Sequence, residues 1–210
     1  MTWERFSADL EFSHQRRWPG RSVRWPSSLR LLIDSRGLWL LALHRISHWW
    51  LRQSTDGGTR GWRLRLISIP LTLLEWLMKV VTKSDILGRS DIEGGVCLHN
   101  EGGIILGAKK IGSGTVIGPR TTIGMNLADR GLPEIGDNVW IGPDCIVYGA
   151  VTIGEGAPLL PGTTLTKSIP AGVVMQGNPA RLVLRNFDNT ALRTQPEPDV
   201  SQHMAAARGN

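Results

Sequence analysis

Residues 135–158 read "IGDNVWIGPDCIVYGAVTIGEGAP", and their spacing decides the fold. An aliphatic residue returns at every sixth position: Ile135, Ile141, Val147 and Ile153. The ladder extends backward through Ile111, Ile117 and Ile123 and forward through Leu159 and Leu165. Glycine directly follows most of these, and the fifth position is small or β-branched (Thr115, Thr121, Val139, Cys145, Val151, Ala157, Thr163). An α-helix repeats near 3.6 residues and a simple strand at two. A period of six with one inward aliphatic fits a parallel β-helix of triangular section, three hexads to a coil. The aliphatic fills the interior, and the small residue after it lets the chain turn the corner. Nine hexads predict three coils, and residues 85–110 add one or two imperfect ones.

Two features interrupt the ladder. Residues 124–134, "GMNLADRGLPE", separate two clean runs, and insertions in solenoids form loops on one face, often the functional one. Asp129 and Arg130 sit at the tip of that loop. Upstream, Val96–Leu106 reads "VCLHNEGGIIL" and holds His99, the only histidine between residues 49 and 202. Counting back from Ile111 in sixes lands on His99, where an aliphatic would point inward. The polar and small residues around it predict an irregular turn that swings the imidazole out of the core.

Composition shifts near residue 84. Residues 1–83 carry fourteen Lys/Arg against six Asp/Glu and eight of the nine tryptophans; residues 84–210 carry ten against twelve. The reading is therefore a Trp-rich basic helical region over 1–83, a β-helix over 84–185, and a flexible tail over 186–210. Within the first region, residues 1–28 read as an irregular leader with Pro19-Gly20 and Pro26 as breakers. A helix follows from about Gly37, and a second spans 63–82, bent or started at Pro70. That second helix is too short and interrupted to span a bilayer. It is expected to dock on protein, with a membrane surface as the other option. Cys97 and Cys145 make no disulfide framework and read as small buried residues in a reducing compartment. No secretory signal is read at the N-terminus, so a cytoplasmic protein is expected, with peripheral contact at the inner membrane face as a variant.

These residues resemble the hexapeptide-repeat acyltransferases, and specifically the serine acetyltransferase family, over about residues 36–184. "GLWLLALHRISHWW" (Gly37–Trp50) is similar to a helix of that family, with Arg45, His48 and Trp49 matching its arginine and His-Trp pair. "SDILGRSDIEGGVCLHNEGGII" resembles its first coil, and "TKSIPAGVVMQGNPARLV" its closing segment. The resemblance implies a left-handed parallel β-helix behind a small helical region, acetyl-CoA as acetyl donor and a homotrimer with sites between subunits. It implies His99 as general base and Asp85 as the carboxylate that orients it. It places acceptor contacts at Asp129, Arg130 and Gly124, and the coenzyme at Lys167, Ala180, Arg181 and Arg185. Three positions depart from the family: Leu98 precedes the histidine where an aspartate is usual, Gly131-Leu132 stands where a histidine is usual, and Met125 replaces a second glycine. The expected acceptor is therefore L-serine or, as in shorter relatives from polysaccharide gene clusters, a sugar hydroxyl.

The chemistry suits these residues. An alcohol is almost wholly protonated at neutral pH, so a base must take its proton as it attacks. Imidazole titrates near the working pH, and a carboxylate on its other nitrogen fixes the tautomer. Amides of "NEGG" and "TIGM" are candidate oxyanion donors. Zinc chemistry of the kind found in β-helix carbonic anhydrases needs three histidines, and the repeat region has one. The competing reading is a non-catalytic scaffold or membrane-docking protein that uses its basic Trp-rich front. Nucleic-acid binding ranks last because no recognised module appears.

Overall fold

The structure is a computed structural model that describes residues 2–20, 22, 25–55, 61–126 and 130–195. Among these residues four helices precede the repeats: α1 (Thr2–Arg17), α2 (Trp25–Asp34), α3 (Arg36–Thr55) and α4 (Gly61–Thr82). Short strands then wind into a parallel β-helix of three faces. One face stacks β1 (Asp85–Ile86), β4 (Ile105–Leu106), β7 (Thr122–Gly124), β10 (Ile146–Tyr148) and β13 (Thr164–Leu165). A second stacks β2 (Asp91–Ile92), β5 (Lys110–Ile111), β8 (Glu134–Ile135) and β11 (Thr152–Ile153). The third stacks β3 (Cys97–Leu98), β6 (Val116–Ile117), β9 (Trp140–Ile141), β12 (Pro158–Leu159) and β14 (Val174–Gln176), and β15 (Arg181–Leu184) closes it antiparallel.

The ladder read from the sequence is the core. All nine leading aliphatics from Ile111 to Leu165 are at most 2% exposed. The fifth-position residues Thr115, Thr121, Val139, Cys145, Ala157 and Thr163 are wholly buried as well. Thr115 Oγ1 donates to the Gly136 carbonyl at 3.1 Å, so a buried hydroxyl at a corner is satisfied by the next coil. Ile135 pairs with Ile153, eighteen residues on, whereas Ile111 pairs with Ile135, twenty-four on. The insertion at 124–134 therefore adds one hexad's length without shifting the inward register.

The N-terminal region differs from the irregular leader expected of residues 1–28. It contains α1 and the start of α2, because the stripe that α1 buries is polar. Asp9, Ser13 and Arg16 stand at helical spacing and are 0%, 8% and 8% exposed, so apolar periodicity could not reveal them. Asp9 receives Arg45 Nε at 2.7 Å and Nη2 at 2.9 Å, and its Oδ1 also accepts the Val96 amide at 3.0 Å. Arg45 further donates to the carbonyls of Ile92 (3.0 Å) and Glu93 (2.8 Å). This buried fork ties α1, α3 and the first coil together. Burial pushes the Asp9 carboxyl upward, against the lowering effect of Arg45 and the Val96 amide.

The helix expected from Gly37 begins one residue earlier, and α2 precedes it. Ser35 separates them; its Oγ accepts the Leu38 amide at 3.4 Å. Two histidines of α3 face the first coil. His44 Nε2 donates to the Ser90 carbonyl at 3.1 Å, and His48 Nδ1 to the Gly88 carbonyl at 3.0 Å. Burial lowers the His44 pKa from 6.5 to about 4. The unfolded chain thus binds this proton from pH 6.5 downward and the folded chain only from about 4. Stability from this group is present above pH 6.5 and falls away between there and about 4, by about 3 kcal/mol in all. Urea melts at stepped pH should show that slope, and His44→Gln should flatten it; an unchanged slope would contradict the assignment.

Helix α4 runs through Pro70 without a break. Its Glu75 accepts a hydrogen bond from Ser47 of α3, so part of its polar side faces protein. Leu73, Leu74, Trp76, Leu77, Val80 and Val81 face outward, each at least 47% exposed. Among the described residues no helix is long and apolar enough to cross a membrane. The tail expected to be flexible from residue 186 is packed as far as Gln195. Asn189 Nδ2 donates to the Asn138 carbonyl at 2.7 Å, and α5 (Thr190–Thr194) lies against α1. Residues 196–210 lie outside the described part.

Candidate active site

The irregular turn after β3 carries His99. Leu98, 2% exposed and paired with Ile117, takes the inward position there, which corrects the count of sixes that placed His99 in it. The next aliphatic rungs are Leu106 and Ile111, so the spacing runs eight and then five in place of six and six. The surplus residues form the turn. His99 follows the strand half-buried, outside the core.

Glycines make this turn possible. Gly102 and Gly103 have φ of +73° and +71°. A Cβ on Gly102 would lie 2.1 Å from the Thr82 carbonyl oxygen, so the turn packs directly on the segment before β1. Gly103 donates its amide to the same carbonyl at 3.1 Å, and the Ile104 amide donates to Ser84 Oγ at 3.1 Å. The amides of "NEGG" are largely committed inside the turn. Glu101 N–H donates to His99 Nδ1 at 3.3 Å and Gly102 N–H to the His99 carbonyl at 3.4 Å. Neither is aimed at an incoming oxyanion.

Helix α3 and the second coil brace the turn from two sides. Asn100 Oδ1 accepts Ser35 Oγ–H at 3.0 Å and the Gly37 amide at 3.2 Å, which places it over the start of α3. A Cβ on Gly37 would meet the Leu98 carbonyl oxygen at 2.1 Å, so only glycine lets α3 approach β3 this closely. Arg120 reaches Glu101 at 3.4 Å and forms two bonds to Asp144, at 2.7 and 2.8 Å. That guanidinium holds the Asp144 carboxyl below its ordinary value. Neither Asn100 nor Arg120 was singled out by sequence reasoning. The register slip around "HNEGG" was the only signal that this turn needs outside support.

Asp85 stands on β1, just beyond the Thr82–Ser84 segment on which the turn packs. Its carboxylate pairs with Lys79 Nζ at 2.8 Å and makes no hydrogen bond to His99. It lines a cavity of about 260 Å³ between α3, α4 and the first coil, together with His44, Glu75 and Lys79. Asn100 lines a different cavity on the far side of α3.

The loop residues are spread out. Gly124 ends β7, with open space where a Cβ would stand. Arg130 is exposed, in a left-handed conformation (φ +49°), and its amide donates to the Asn126 carbonyl at 2.9 Å. Asp129 lies outside the described residues. At the other end, Lys167, Arg181 and Arg185 are exposed, and Ala180 packs on the core with its amide donating to the Thr164 carbonyl at 3.0 Å.

Comparison with known proteins agrees with this fold. The family described as "Bacterial transferase hexapeptide (six repeats)" matches residues 133–167. The serine acetyltransferase of Synechococcus elongatus is 26% identical over 163 residues, covering 76% of this chain. The chain spans 62% of that relative's length. Soybean serine acetyltransferase complexed with serine superposes with a TM-score of 0.69 at 26% identity, covering 87% of this chain and 69% of that one. The serine acetyltransferase of Brucella abortus strain S19 in complex with coenzyme A gives 0.71 at 19% identity, over 89% and 69% of the two chains. The shared fold is a left-handed parallel β-helix behind a short helical region. With the hexapeptide ladder as its core and the first coil latched to the helix that carries Arg45 and His48, the chain is similar to the hexapeptide-repeat acyltransferases, and to serine acetyltransferases in particular.

Proposed function

We propose that this chain transfers an acetyl group from acetyl-CoA to a hydroxyl, with His99 as general base. The observation that carries the reading is the likeness to serine acetyltransferases across both the helical region and the repeats, with one histidine on the irregular turn between them. The acceptor oxygen attacks the thioester carbonyl carbon as the imidazole takes its proton. The tetrahedral intermediate collapses, the C–S bond breaks, and coenzyme A leaves as the thiol with that proton. The acceptor is L-serine or a saccharide hydroxyl. Lys167, Arg181 and Arg185 supply cations for the coenzyme's phosphates, and Ala180 packs beside them at the end of the β-helix. The acceptor contacts are assigned to Gly124, Asp129 and Arg130. Thiol release from acetyl-CoA, measured with serine and with a panel of sugars, tests the reading. Acceptor-dependent release supports it, and no release with any acceptor counts against it.

We also infer a homotrimer. Ile105 and Ile146 stand on the outer surface of the β1–β4–β7–β10–β13 face, 53% and 41% exposed, and α4 offers a second apolar row. Covering such rows is what drives subunits of this architecture together. Light scattering during gel filtration should give three times the mass of one chain, and Ile105→Glu with Ile146→Glu should yield monomers. A monomeric wild type would exclude it.

A further inference from the structure

A second cavity, of about 240 Å³, lies between α1, α2, the start of α3 and the His99 turn. Ser13, Arg16, Arg17, Asp34, Ser35 and Asn100 are on its wall. Arg16 is 8% exposed, yet among the described residues no carboxylate pairs with it. Its Nη1 donates to Cys97 Sγ at 2.9 Å and its Nη2 to the Gln195 carbonyl at 3.1 Å, while Nε has no partner. Arg17 makes no ion pair among the described residues either. Among the described residues the one acid on the wall, Asp34, is 58% exposed and lies 3.8 Å from Arg30.

A buried guanidinium held only by a thiol and a carbonyl is under-compensated. Asp9 and Arg45, two turns away across α1, show how this protein treats a buried charge when it is structural: it supplies a bidentate counter-ion. At Arg16 no described residue supplies the counter-ion, and a cavity stands beside it. We propose that this cavity binds a small oxyanion, a carboxylate or a phosphate, seated on the Arg16 and Arg17 guanidinium groups. Those forks match the paired oxygens of such a group, and the Ser13 hydroxyl adds a donor. Asn100 lines the same cavity and neighbours His99, so an anion here sits against the turn proposed to carry the base. The inference does not rest on acetyl transfer, because binding alone tests it.

Calorimetric titrations of the full chain with sodium phosphate and with sodium acetate, at constant ionic strength against sodium chloride, make the test. Saturable binding of at least one ion is expected. Phosphate alone points to a phosphorylated ligand and acetate alone to a carboxylate. Arg17→Ala, a half-exposed position, should weaken the binding roughly tenfold, and Arg16→Lys should do the same by keeping the charge and losing the fork. If Arg16→Lys fails to fold, Arg17→Ala decides. Binding no stronger than chloride, or affinity unchanged in the folded variants, overturns the proposal.

Discussion

Arg45→Met should lower the unfolding free energy by roughly 3–5 kcal/mol, the range for removing one member of a buried ion pair. The variant leaves the Asp9 carboxylate, wholly buried, with only the Val96 and Gly95 amides for company. It also strips a donor from the Ile92 and Glu93 carbonyls of the first coil. Melting at a fixed protein concentration should fall by on the order of 10 °C. Asp9→Leu combined with Arg45→Met should recover part of this loss, since no unpaired charge then remains. Full recovery is not expected, because the Glu93 carbonyl and the Val96 amide lose their side-chain partners, while the Ile92 carbonyl keeps only Arg5. If Arg45→Met melts like the wild type, the fork is not what holds the helices to the β-helix.

The same fork marks where the sequence could be read and where it could not. The repeats were legible because every inward rung is aliphatic and the period is fixed; even the inserted loop changes the count by a whole hexad. The Arg45 and His48 positions were recognised by resemblance, but their partners were not. Asp9 is in a segment whose buried stripe is polar, and hydrophobic periodicity is silent about such a helix. The first coil was legible only in outline. Its rungs fall eight and five apart, so counting in sixes put His99 on the rung that Leu98 occupies. The compensating slip depends on two glycines in left-handed conformation packed on Thr82, a tertiary contact with no local signature. The resemblance pairs Asp85 with His99; its bond to Lys79 depends on where α4 ends, which spacing in the coil does not specify.

His99→Ala should reduce kcat by roughly 10²–10⁴ while leaving acetyl-CoA binding nearly intact, the signature of losing a general base. Which nitrogen acts is set by the hydrogen bonds of the turn. Nδ1 accepts the Glu101 amide, which places the proton of the neutral ring on Nε2. In that tautomer Nε2 is a donor and cannot take a proton from the acceptor. Base action through Nε2 requires the proton on Nδ1, and Nδ1 then needs an acceptor in place of the Glu101 amide. Asp85, paired with Lys79 and not bonded to His99, can become that acceptor only by moving toward the ring. The two routes separate in the variants. If Asp85 exchanges partners during turnover, Asp85→Asn should lower kcat by an order of magnitude or more and Lys79→Met should leave it equal or higher. If His99 works through Nδ1 itself, Asp85→Asn and Lys79→Met should behave alike and stay near the wild type. An unchanged rate in His99→Ala, with acceptor-dependent release still measurable, would remove the imidazole from the chemistry altogether.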